Sequence, residues 1–174
     1  PDTHNSWVSY DFKYSLDEVN MTGASRINDS INSKISILKN ISPSEILTDR
    51  FIPNSFSSFF SFTIDDSERF IFNFKNYLKG NDISTENINF DSLNIINEIN
   101  FIEDQEKFII LGINNINNLE SYFELSEFDN LNNIKKINID KGMKILINRF
   151  DQDISTNYAI LIENSLVITK SVSQ

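Results

Sequence analysis

The stretch Ile99-Asn100-Phe101-Ile102-Glu103-Asp104-Gln105-Glu106-Lys107-Phe108-Ile109-Ile110-Leu111-Gly112-Ile113 decides the fold class. Two apolar runs, residues 99–103 and 107–113, flank the polar triplet Asp104-Gln105-Glu106, the pattern of a β-hairpin. Upstream, residues 56–64 are rich in Phe and read as a buried strand. There Phe56, Phe60 and Phe62 share one face and Phe59 lies opposite. Asp65-Asp66-Ser67-Glu68 places acids where a helix N-terminus favours them. Phe70, Phe74, Tyr77 and Leu78 then recur at helical spacing, with Phe72 off that stripe and Gly80 as the expected C-terminal cap. Asp91 opens a short helix. Downstream, residues 115–128 predict a helix on the stripe Ile116, Leu119, Tyr122 and Phe123. Residues 129–138 read as a polar connector. Residues 143–150, 157–163 and 165–170 read as three closing strands, the last two turning at Glu163-Asn164.

Strands and helices are thus mixed, with hairpins among the strands. The class is α+β, a mainly antiparallel sheet with helices on one face. Within residues 51–174 the order β-α-β-β-α-β is that of the split-βαβ or ferredoxin-like topology, which hosts many functions and specifies none.

The first forty residues form a pattern of their own. Val8, Tyr10, Phe12 and Tyr14 alternate as a half-buried strand, Leu16-Asp17-Glu18 turns, and residues 19–27 return. Asp29 or Ser30 is placed to cap a helix carrying Ile31, Ile35 and Leu38. Residues 1–48 therefore read as the end of a preceding β-β-α unit, and residues 49–174 as an α+β unit, together an excerpt of a longer chain. The closing strand–turn–strand resembles the opening one, as a tandem pseudo-repeat would.

Composition removes several classes of chemistry. With 40% hydrophobic and 12% aromatic residues the chain is a core former rather than a disordered segment. The absence of Cys excludes disulfides, thiolate metal sites and a thiol nucleophile. His4 is the single His, without a His or Cys partner for a metal site or a triad. Gly23, Gly80, Gly112 and Gly142 stand too far apart for a phosphate loop, so no nucleotide cofactor is expected. Asp151-Gln152-Asp153 has the alternate spacing of a calcium loop start. It lacks Gly at the sixth position and Glu at the twelfth, and no metal is expected. Asp65-Asp66 reads as a helix cap, and Glu103-Asp104 as turn residues. A net charge of −10 disfavours nucleic acid and anionic lipid. The densest basic stretch, Lys135-Lys136, lies among Glu127, Asp129 and Asp140 and reads as a solvated face. No run approaches the roughly 18 apolar residues of a transmembrane helix.

Three segments carry a resemblance: Phe51-Ile52-Pro53 leading to residues 59–64 and the Phe-rich helix after Asp65, residues 158–168, and residues 7–14. They resemble segments of large, uncharacterised envelope lipoproteins of flavobacteria and their relatives. The resemblance implies an exported, extracytoplasmic chain at the periplasm or outer-membrane surface, with a lipid anchor outside these residues. It brings no catalytic motif.

The functional expectation is a non-enzymatic protein-interaction module of the cell envelope, part of a larger assembly with other envelope proteins. A binding module for an apolar or glycan ligand is the alternative, and a carboxylate hydrolase the remotest. No catalytic, cofactor or metal residues are assigned. Trp7, Phe59 and Phe72 are the candidate protein contacts, being large and lying at a chain end or off the main stripes.

Overall fold

The computed structural model describes residues 8–14, 19–25, 32–129, 133–150 and 158–170. Its strands are β1 (Val8–Tyr14), β2 (Val19–Ser25), β3 (Ser58–Thr63), β4 (Ile96–Glu103), β5 (Lys107–Ile113), β6 (Glu124–Asp129), β7 (Ile134–Asn138), β8 (Tyr158–Ile162) and β9 (Ser165–Thr169). The α-helices are α1 (Ser67–Gly80), α2 (Leu119–Tyr122) and α3 (Lys141–Phe150). The fold is α+β.

The chain divides into two compact units: residues 1–39 with 72–85, and residues 40–71 with 86–174. In the smaller unit β1 and β2 pair antiparallel as a two-stranded sheet. The expected helix there is only a 3-10 turn, Lys34–Leu38, which buries Ile37 and leaves Ile35 exposed. Asn32 donates to the Tyr77 carbonyl at 2.7 Å, and the Asn73 amide to that of Lys39 at 2.7 Å. These bonds hold residues 32–39 against the helical stretch of this unit. Asp29 and Ser30 lie outside the described residues.

The larger unit contains a seven-stranded antiparallel sheet in the order β3-β4-β5-β9-β8-β7-β6. The hairpins at 104–106 and Glu163-Asn164 form as the turn residues predict, with Glu163 in the left-handed region at φ 52°. Register sorts the side chains into two faces. Phe60, Phe101 and Ile109 lie opposite one another on one face, as do Phe62, Ile99 and Leu111. Phe70 at the start of α1 stacks on Phe62 at 5.9 Å, and Phe150 at the end of α3 meets Phe62 at 5.0 Å. Both contacts cover this same face. The other face carries Ile102, Ile110 and the polar residues Glu98 and Asn100, all buried.

The start of α1 is fixed by its cap. The Arg69 N–H donates to Asp66 Oδ1 at 2.9 Å, and Phe70 bonds back to the Asp66 carbonyl. The end is not the expected glycine cap. Gly80 is still helical, and the left-handed residue is Asp82 at φ 58°, after which the Ile83 N–H returns to the Leu78 carbonyl. An Asp tolerates that conformation better than most residues.

Residues 143–150 form α3 and not a strand. Met143, Leu146 and Ile147 are buried at helical spacing. Asp140 caps the helix, accepting from the Met143 N–H at 2.7 Å. Met143, Ile145 and Ile147 alternate as a strand would, but the capping Asp and the i, i+3, i+4 stripe prevail. A Cβ at Gly142 would lie 2.4 Å from the Asn89 carbonyl oxygen, so glycine lets the first turn of α3 approach that backbone.

Residues 115–128 are likewise not one helix. The stripe holds only through a 3-10 turn, Ile116–Asn118, and the single turn α2; β6 then begins at Glu124. The expected connector at 129–138 contains β7, with Lys135 opposite Glu127 in register. The chain order β-α-β-β-α-β is present as β3-α1-β4-β5-α2-β6. In space, however, β6 lies at the sheet edge opposite β3 instead of beside it.

Two Phe rings depart from expectation. Phe62 is buried at 8% exposure, but Phe60, on the same face, is 45% exposed because, among the described residues, β3 pairs with a strand on one side only. Phe56 precedes the strand and packs against Phe59, ring centroids 5.6 Å apart. Phe70→Ala and Phe74→Ala, at 0% exposed positions, should each cost about 3–5 kcal/mol in urea unfolding. Phe60→Ala should cost less than about 1.5 kcal/mol by the same measurement, its ring being half in water already.

Candidate functional site

The two ends of the seven-stranded sheet are built differently. An edge strand presents unpaired N–H and C=O groups, and charges, prolines and bulges are the usual devices that keep other chains away. The sequence of β6, Glu124-Leu125-Ser126-Glu127-Phe128-Asp129, carries three acids, and its pairing with β7 shifts register between Glu127 and Asp129. β3 has neither. Its sequence, Ser58-Phe59-Phe60-Ser61-Phe62-Thr63, carries neither charge nor proline, and it keeps one register with β4 throughout.

The ladder's alternation says which backbone groups of β3 face outward. The Ile64 N–H donates to the Asn97 carbonyl at 2.7 Å, in the register that pairs Phe62 with Ile99 and Phe60 with Phe101. In an antiparallel ladder every second residue directs its N–H and C=O to the same neighbour. Residues 58, 60 and 62 therefore bond to β4, and Phe59, Ser61 and Thr63 turn their backbone groups to the side on which no described strand pairs.

Aromatic rings sit on both faces of this edge. Phe60 is held from behind by Phe150, stacked at 5.6 Å and 21°, and by Phe62 and Phe101 at 5.8 and 6.1 Å. Its remaining surface is open. Phe59, on the other face, is half-buried against Phe56.

A buried polar cluster supports the other face. Glu98 is 1% exposed, Asn100 0% and Thr48 1%. The Thr48 hydroxyl donates to Glu98 Oε1 at 2.6 Å, the Asn100 amide donates to the same oxygen at 2.8 Å, and the Leu47 N–H donates to Glu98 Oε2 at 2.8 Å. The carboxylate is thus satisfied by neutral donors, which makes its burial tolerable. Near the end of β3, the Ser44 N–H donates to the Thr63 hydroxyl and the Ser42 N–H to Asp65 Oδ1. Through these bonds the irregular segment 42–48 lies over Glu98 and Asn100. Gly112, opposite Glu98, leaves space that a Cβ would deny: it would stand 2.5 Å from Asn97 Oδ1 and 2.9 Å from Glu98 Cβ.

Of the sequence candidates, Phe59 lies on this edge. Phe72 is 63% exposed on α1 and belongs to the smaller unit. Trp7 lies outside the described residues, as do His4, Asp151 and Asp153. Asp66 caps α1 through the Arg69 N–H, whereas Asp65, read as part of the same cap, accepts instead from the Ser42 N–H. The sequence reading missed Phe60, because alternation alone does not tell an edge strand from a central one. It also missed Thr48, Glu98 and Asn100. Their only trace is that Glu98 and Asn100 alternate with Ile99 and Phe101, which reads equally well as a solvated face.

The chain matches no family model, no curated protein and no solved structure in these comparisons. The Thr48 hydroxyl also accepts from the Asn100 amide at 2.6 Å, so Thr48→Val leaves both the Asn100 amide and Glu98 one partner short. It should cost about 1–3 kcal/mol in urea unfolding. Ser44→Ala keeps the backbone N–H that Thr63 accepts and should be close to neutral.

Proposed function

We propose that this chain is a non-enzymatic protein-interaction module of a bacterial cell-envelope lipoprotein, extracytoplasmic and part of a larger assembly, and that it docks other envelope proteins by strand addition at β3. The observation that carries the docking part is the contrast between the sheet's two ends: β6 is charged and irregular, while β3 is uncharged, regular and flanked by an exposed Phe60. Strand addition draws affinity from main-chain hydrogen bonds and specificity from alternate side chains. Phe59, Ser61 and Thr63 supply the first, and Phe60 supplies an anchor of the type enriched at interfaces. The envelope part rests on the resemblance of residues 7–14, 51–64 and 158–168 to envelope lipoproteins.

A photo-crosslinking phenylalanine analogue at position 60 tests both parts, with the same group at Glu124 on β6 as the comparison. In intact envelopes of a producing bacterium, position 60 should give a defined adduct with an envelope protein, lost on Ser61→Pro, and position 124 should not. Equal adducts from both positions, or none from position 60, would overturn the docking reading. An adduct made only with cytoplasmic proteins would overturn the envelope reading.

A further inference from the structure

The acids around β3 specify what kind of strand fits there. The edge spans six residues, or about 20 Å. Just beyond its C-terminal end stand Asp65, Asp66 and Glu68 with one base, Arg69, a local balance of three acids to one base. Arg69 is committed to Asp66 at 3.5 Å. Beside its N-terminal end, where Ser58 pairs with Glu103, lies the β4–β5 turn with Glu103, Asp104 and Glu106 against Lys107, again three to one. Lys107 lies 3.7 Å from Glu103. Asp65 and Asp104 are exposed, and no ion pair is formed by either among the described residues. The edge is therefore uncharged along its length, with acids in excess in the sequence at both ends.

We infer that the occupant of this edge is an extended segment of about six residues, apolar opposite Phe60 and carrying Lys or Arg at both ends; this rests on the docking reading above. The position opposite Phe60 follows from the ladder. Because residues 59, 61 and 63 form the hydrogen-bonded pairs of the new ladder, Phe60 falls at a non-hydrogen-bonded pair, where facing side chains come closest. A β-branched or aromatic residue there covers the open side of the ring. Basic ends follow from the two acidic clusters, since opposite charges across an interface steer encounter and fix register. A second copy of this chain is a poor occupant. Antiparallel pairing of two β3 edges sets the acids after Thr63 of one copy against the acids beside Ser58 of the other. Like charges so juxtaposed are repulsive.

The test uses the whole chain, isotopically labelled, and two fluorescent peptides. Both have a six-residue core alternating Thr and Val. One carries two lysines at each end and the other two glutamates. The lysine peptide should bind at least about tenfold more tightly at low salt, a difference of about 1.4 kcal/mol, and its advantage should shrink as salt is added. Amide shifts should centre on residues 58–63, and Ser61→Pro, checked for an unchanged fold by its spectrum, should abolish them. Equal affinity of the two peptides at β3 would overturn the charge requirement and leave strand docking standing. Shifts centred on β6, or no binding of either peptide while position 60 still crosslinks, would overturn this occupant alone. No binding together with no crosslink from position 60 would overturn both readings.

Discussion

Ile109, Ile110 and Leu111 are consecutive residues of β5, and all three are 0% exposed. Successive strand residues point to opposite faces, so the middle of this sheet is buried on both. An antiparallel sheet commonly leaves one face to water; this one needs two covers. On the face of Phe62 and Ile99 the cover includes the start of α1 and the end of α3, brought by Phe70 and Phe150. On the face of Ile102 and Ile110 the cover includes the irregular segment 42–48. An irregular cover carries backbone groups that no ladder satisfies. Glu98, Thr63 and Asp65 accept those of Leu47, Ser44 and Ser42. The buried carboxylate of Glu98 is thus a consequence of two-sided burial, acting as the acceptor that lets irregular chain lie on the sheet.

Among the described residues, no strand pairs with the outer side of β3. The ring of Phe60 is supported by Phe150 from one direction and by β4 neighbours from another, so it is ordered without being enclosed. A ring held in place this way loses little further freedom on contact with a partner, which lowers the cost of binding. The cap at Asp66 and the hairpin turn at 104–106 leave acids at both ends of the same strand. The features that fix the local fold thereby also set the charge pattern of its free edge.

Much of this architecture is legible in residues that depend on their immediate neighbours. The hairpin at 104–106, the turn at Glu163-Asn164 and the capped start of α1 follow from turn chemistry and capping, which act over a few residues. Where two periodicities coexist, local pattern fails. Met143, Ile145 and Ile147 alternate, while Met143, Leu146, Ile147 and Phe150 recur as a helix does, and the cap at Asp140 decides between them. At Leu119–Phe123 the helical spacing is real but lasts one turn before β6 begins.

By itself, then, the sequence determined the α+β class, an antiparallel sheet, the acidic surface and the lack of Cys, paired His or a phosphate loop, because these rest on composition and short-range spacing. The tertiary structure alone decided which strand lies at the edge, which of two Phe residues on one strand face is open to water, and that Glu98 and Asn100 are buried. The physical reason is the same in each case. Edge position and burial depend on which segments, distant in sequence, come to lie alongside: β9 inserting between β5 and β8, and Thr48 meeting Glu98 fifty residues on.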